Sequence, residues 1–337
     1  MAAKYRETDY LYGSARVRAL EPRLLSREKL EHMLEARSSD EILAMLPEFG
    51  FTLVESSEGG GIRREDSLLS VLEEGFSVLE QMPGGAGLAE FLRVPYDCNN
   101  IKALIKCASR EVSPDSMLFE SLGRVSAADA RRAFEDKRYE QFSPRLAAAI
   151  PEAESAFART GNPQTVDLIL DRACYADMLA LAEEIGVPYG VALVRMKIDL
   201  TNLMTCVRLI RMRLGASASA LLRDALLEGG LLESSLWEWG LENGEDALRE
   251  RIGATDYGAL CDGWESDTPL YLLEKRADDL RMDAICRARY VPFGAEVLLG
   301  YVLALDYQVK NLRILLAGKD ARLSAEVIRE RLRKSYV

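Results

Sequence analysis

Apolar residues recur at three- and four-residue spacing along almost the whole chain, and no bounded run of alternating apolar and polar residues interrupts them. The pattern predicts an all-α protein. In "SREKLEHMLEARSSDEILAMLPEFGF", residues 26–51, it predicts two short helices. Ser26 is a candidate N-cap, with Lys29 in place of the usual Glu, and Ser39 or Asp40 starts the second. Turn signals fall at Ser56–Gly61, Pro83–Gly87, Ser113–Pro114, Gly161–Pro163, Gly186–Gly190, Gly229–Gly230 and Pro292–Gly294. The helices between them are short to medium, except that Val191–Leu214 runs without Gly or Pro.

Three helical stretches say nearly the same thing: "YDCNNIKALIK" from Tyr96, "IDLTNLMTCVR" from Ile198 and "DYQVKNLRILL" from Asp306. Aligned on Asn100, Asn202 and Asn311, the copies stand 102 and then 109 residues apart. Apolar residues match at one position after Asn (Ile101, Leu203, Leu312), at four (Leu104, Cys206, Leu315) and at five (Ile105, Val207, Leu316), which is one helix face. Upstream, "VPYGVALVRMKIDL" echoes "VPFGAEVLLGYVLALDY", and "LILDRACYADMLALA" echoes "LLEKRADDLRMDAIC". The period exceeds the roughly 30–45 residues of solenoid repeats. It predicts three tandem helical bundles, residues 1–112, 113–216 and 217–337, with pseudo-threefold symmetry around a hollow.

Composition narrows the function. A chain of 337 residues, 48% hydrophobic and 29% charged, has the proportions of a folded soluble protein of two or three domains. A net charge of −11 argues against nucleic-acid binding, which needs a basic footprint. The six cysteines never approach C-x-x-C spacing and read as buried reduced thiols. With His32 as the single histidine, a zinc site has no ligand set. The start "MAAKYRETDY" lacks an apolar h-region, which predicts a cytosolic chain, and the apolar window Val297–Leu305 is too short to span a bilayer.

With the opening "DYLYGSARVRALEPRLLS" and "NLRILLAGK", the repeated motifs resemble, in order and over essentially the whole chain, the C subunit of bacterial and archaeal V-type ATPases, the family of the eukaryotic V-ATPase d subunit. The resemblance implies an all-helical funnel of three similar domains. It implies that the funnel sits on the membrane proteolipid ring and receives the central shaft, a mechanical role at the cytoplasmic face without an active site, cofactor or small-molecule substrate. Gln308 stands where Asp97 and Asp199 stand in the other copies, and Met204 where Lys102 and Arg313 stand. "ESSEGGGIRRED" reads as a local insertion or mobile loop.

Asp97 with Asn100, and Asp199 with Asn202, share a helix face. They serve either as a polar ring that grips a partner or as partners for backbone groups where helices meet; their core neighbours favour the second. Arg16, Arg18, Arg208 and Arg211, with Arg213, are candidate contacts for an acidic partner surface, and the run at 208–213 also suits a helix C-terminus. "RADDLRMDA" resembles a magnesium-binding carboxylate box, but Arg276 and Arg281 within it predict helical ion pairs on a solvated face. Neither "PGGAG" nor "LAGKD" has P-loop spacing, and no base stands beside a nucleophile.

Overall fold

The computed structural model describes residues 6–55, 61–215 and 217–337. The described residues are all-helical, with one isolated antiparallel bridge, Glu55 to Ile62, and no strand. Most of the Gly-rich segment, residues 56–60, lies outside the described residues.

The helices are α1 (Leu11–Leu20), α2 (Arg27–Glu35), α3 (Ser39–Met45), α4 (Arg64–Glu80), α5 (Glu90–Ala108), α6 (Ala127–Asp136), α7 (Pro144–Thr160) and α8 (Pro163–Ile185). There follow α9 (Pro188–Met212), α10 (Ser217–Ala225), α11 (Ser234–Asn243), α12 (Glu245–Gly253), α13 (Leu270–Cys286), α14 (Ala295–Asp320) and α15 (Ala325–Arg331). The chain groups into two compact units: residues 1–88 with 252–337, and residues 89–251.

In the first unit α14 is the axis, packing against α1, α3, α4, α13 and α15. Its apolar residues point all round: Leu298, Leu299, Val302, Leu305, Val309, Leu312 and Leu315 are all buried. That is the signature of a helix enclosed on every side, and each such side chain contributes about 1.5–3 kcal/mol on burial. The helix runs 26 residues and carries Gly300 and Gly318 inside it. Gly318 has a packing reason: an added Cβ would come within 2.6 Å of Ile328 on α15.

Helix ends follow local chemistry. Ser26 caps α2 as expected, its Oγ accepting from Lys29 N at 3.4 Å. For α3, Ser38 is the cap and Ser39 the first helical residue; the Ser39 hydroxyl instead donates to Asp320 Oδ1 at 2.6 Å. Lys319 Nζ closes the end of α2 by donating to Leu34 O and Ala36 O, both at 2.6 Å.

In the second unit α8 packs against α5, α7, α9 and α10, while α9 also meets α10 and α11. Gly161 (φ 64°) and Gly186 (φ 77°) end α7 and α8 in the left-handed region, and Pro163 and Pro188 then open α8 and α9. α8 and α13 are the helices of the upstream echoed pair, and neither has an acidic residue in its first turn; α14 follows its Pro-Phe-Gly turn, whereas Pro188, Tyr189 and Gly190 form the first turn of α9 itself. All nine apolar repeat positions are buried. No helix among the described residues is long and apolar enough to cross a membrane.

Candidate functional site

The repeated Asn is a staple. On α5, Asn100 Nδ2 donates to Phe119 O at 2.9 Å while its Oδ1 accepts from Phe119 N at 2.8 Å. On α9, Asn202 does the same to Leu227, at 2.8 and 2.9 Å. On α14, Asn311 does the same to Arg333, at 3.1 and 2.8 Å. Each time one amide satisfies both backbone groups of one residue in a non-helical segment that meets the helix. Only Asn offers a donor and an acceptor on a stem of that length. An unpaired N–H and C=O there would each cost about 1–3 kcal/mol.

The carboxylate one turn earlier pins the next turn of the same segment. Asp97 Oδ1 accepts from Val125 N at 3.0 Å. Asp199 accepts from Leu231 N at 2.8 Å and Leu232 N at 3.2 Å. Gly123 and Gly230 make room, because a Cβ on either would overlap the carboxylate. Burial pushes the Asp97 carboxyl up to about 6, against the opposing pull of the Val125 N–H and the Arg124 charge.

Gln308 fills the acid position in the third copy and reaches elsewhere. Its Oε1 accepts from Leu25 N at 2.9 Å, so residues from the start of the chain close the third copy. Two positions after Asn, Lys102 pairs with Asp171 of α8 at 2.5 Å, and Arg313 pairs with Glu65 of α4. Met204 at the corresponding place is half-buried.

The arginine candidates separate. Arg18 donates to Ala288 O at 2.8 Å and Val291 O at 2.7 Å and pairs with Glu21 at 2.6 Å. It fastens the turn before α14. Arg211 forms a two-pronged pair with Glu245 at 2.8 and 2.5 Å, so its charge is spent within the second unit. Arg208 is exposed on α9, Arg213 ends that helix at φ 52°, and Arg16 is half-buried on α1.

The aspartates of "RADDLRMDA" are taken up by cations. Asp278 holds Lys310 at 2.6 Å and Arg333 at 2.9 Å; Asp279 holds Lys275 and accepts from Lys334 N; Asp283 holds Lys334. The expected ion pair of Arg276 within this cluster is not found among the described residues: the partners come from α14 and the C-terminal segment, with Lys275 one turn away. No group of side chains suited to a metal is present among the described residues. The cysteines are free thiols, with Cys98, Cys107, Cys174 and Cys206 buried.

Sequence reasoning missed the other half of each staple, Phe119, Leu227 and Arg333, and the clearance at Gly123 and Gly230. The Gly229–Gly230 pair is visible as a breaker; nothing in the sequence ties it to Asp199.

Residues 14–331 match the model of the ATP synthase (C/AC39) subunit family. The chain belongs to this family. Among its C/AC39 relatives, the C subunit of the V-type sodium ATPase of Enterococcus hirae is 25% identical, over 95% of this chain and 97% of that one. The C subunit of the A-type ATP synthase of Thermococcus kodakarensis is 25% identical over 97% and 91%, and that of Methanocaldococcus jannaschii 23% over 96% and 86%. The C/AC39 match thus includes the asparagine of all three staples.

Proposed function

We propose that this chain is the non-catalytic central-stalk subunit of a rotary V-type ATPase or ATP synthase, coupling the rotating shaft to the membrane proteolipid ring. The observation that carries the reading is the family match from residue 14 to residue 331, with relatives matched over nearly their full length. In this reading residues 1–112, 113–216 and 217–337 are three bundles around a pseudo-threefold axis, forming a funnel that takes the shaft on one side and rests on the ring at the cytoplasmic face. The staples support it physically. A part that transmits torque must not creep, and a backbone segment fixed by paired hydrogen bonds to a packed helix resists sliding.

The net charge of −11 favours approach to a ring whose cytoplasmic loops are enriched in Lys and Arg. Binding to the isolated ring then weakens as salt is raised, and salt-independent binding would remove this electrostatic element.

The deciding experiment is capture of the tagged protein from detergent-solubilised membranes of its own cell, with mass spectrometry of the co-purifying chains. Ring proteolipid and shaft subunits are expected. Recovery of soluble proteins alone would overturn the coupling role in favour of a free-standing helical scaffold.

A further inference from the structure

Within the first unit, α2, α13, α15 and the C-terminal segment surround an open cleft of about 700 Å³. Six cationic side chains line it, Arg27, Lys275, Arg276, Arg329, Arg333 and Lys334, against three carboxylates, Glu31, Asp279 and Glu330. This local sign opposes the net charge of −11 of the whole chain.

The carboxylates are committed. Glu31 holds Arg329 at 2.9 Å, Asp279 holds Lys275 and the Lys334 N–H, and Glu330 accepts from the Tyr271 hydroxyl at 3.1 Å. Arg333 and Lys334 direct their charge to Asp278 and Asp283. Two guanidiniums are left over. Arg27 makes no ion pair among the described residues. Arg276 lies over Gly263, where an added Cβ would come within 2.8 Å of its Nη2, and its Nη1 is buried with no acceptor. Gly263 therefore gives room to a guanidinium that has no ion pair among the described residues.

Guanidiniums match phosphate oxygens in geometry as well as charge. Apart from Ser335, the remaining side chains of the wall are apolar: Leu30, Leu272, Leu332 and Val337. We propose that this cleft binds a small phosphate-bearing anion with an apolar flank, its phosphates drawn to Arg27 and Arg276 and its apolar part set against the leucines. Every lining residue belongs to the first unit.

Isothermal titration calorimetry of the full chain, at low salt and without divalent cations, tests this with tripolyphosphate and with ATP. Saturable one-to-one binding of both is expected, with ATP the tighter because it also covers the apolar wall. Arg276→Gln and Arg27→Gln should each weaken binding about tenfold, the scale of one lost charge-assisted contact. Ser335→Asp, which adds a negative charge to the cleft, should do the same. Arg132→Gln on α6 removes an exposed cation elsewhere and should change nothing. Arg27 is exposed, so its variant decides the matter even if Arg276→Gln unfolds by circular dichroism. The proposal is overturned by any of three results: no saturable heat at millimolar ligand, ATP binding without tripolyphosphate binding, or an equal loss in Arg132→Gln.

Discussion

The second and third copies of the staple use the same Asn but differ one turn earlier. Asp199 faces a turn that offers two backbone donors, Leu231 N and Leu232 N, and it carries a carboxylate. Gln308 faces one donor, Leu25 N, and is a neutral amide whose Nε2 is buried without a partner among the described residues. Taking a carboxylate out of water is costly unless donors replace its hydration: Asp97, which accepts from Val125 N, is raised to about 6 by burial, and a neutral amide avoids that cost. The departure of the third copy from the repeat is thus a change in what the backbone presents to the side chain. In the third copy Leu25, just before α2, supplies the contact that the turn beyond the stapled segment supplies elsewhere.

The largest effect should come from the Asn itself, and it should differ between copies. Both Asn202 bonds are fully buried, so Asn202→Ala strands the N–H and C=O of Leu227 without water. A loss of about 4 kcal/mol in urea unfolding is expected, from two orphaned groups. The Arg333 bonds of Asn311 are only partly buried, so water replaces part of what Asn311→Ala removes and the loss should be about 2 kcal/mol. Equal losses would mean that the staple acts through something other than burial.

Next in size is the clearance beside the carboxylate. Gly230→Ala puts a methyl group where Asp199 Oδ1 stands, and either the turn or the α9 side chain must move. About 3 kcal/mol should be lost, the range of an overpacked interior. In the Gly230→Ala, Asp199→Ala double variant the overlap is gone, so the two losses should fall short of additive by about 1 kcal/mol or more. Additivity would show that the turn rearranges regardless of Asp199.

Asp97 sharpens the comparison through pH. Its carboxyl is raised from 3.8 to about 6 by burial, so between those values the native state holds more protons than the unfolded chain. Stability from this group is therefore full at the low end and declines as pH rises through about 4 to 6. Asp97→Asn keeps an acceptor for Val125 N and does not titrate. Between about pH 4 and pH 8 the wild type should lose about 2 kcal/mol more than the variant, measured by urea unfolding at each pH. Parallel pH profiles would show that the Val125 and Arg124 interactions already offset the burial.

The helical face was legible because it is periodic. Ile101, Leu203 and Leu312 sit at the same register, and burial at that register is what the spacing encodes. The Ser26 cap and the Gly161–Pro163 and Gly186–Pro188 boundaries were legible because local backbone chemistry decides them. The other end of each staple was not. Phe119, Leu227 and Arg333 lie 19, 25 and 22 residues beyond their Asn, in segments without period, and they are held by their peptide groups. Any side chain can occupy such a position, so no pattern of residue types marks it. The packing of α1, α3 and α4 on α14 escaped for a related reason: it joins elements more than two hundred residues apart, and each shows only an apolar stripe.

The smallest expected effect concerns the cation two positions after Asn, present in the first and third copies and replaced by Met204 in the second. Lys102 is 14% exposed and paired at 2.5 Å with Asp171, which is itself 41% exposed. Its amine is raised despite burial, because Asp171 and Asp167 favour the charged form. Lys102→Met should cost about 1 kcal/mol, since the stem still packs and the stranded carboxylates can turn to water. Arg313 and Glu65 are 44% and 48% exposed, and Arg313→Met should stay within about 0.5 kcal/mol, as for an exposed pair. Raising salt to about 0.5 M should narrow the Lys102 difference only in part and erase the Arg313 difference, because screening reaches exposed charges first. If Lys102→Met cost nothing at either salt, Met204 would simply show that this position tolerates any long side chain, and the ion pairs of the first and third copies would be incidental to the repeat.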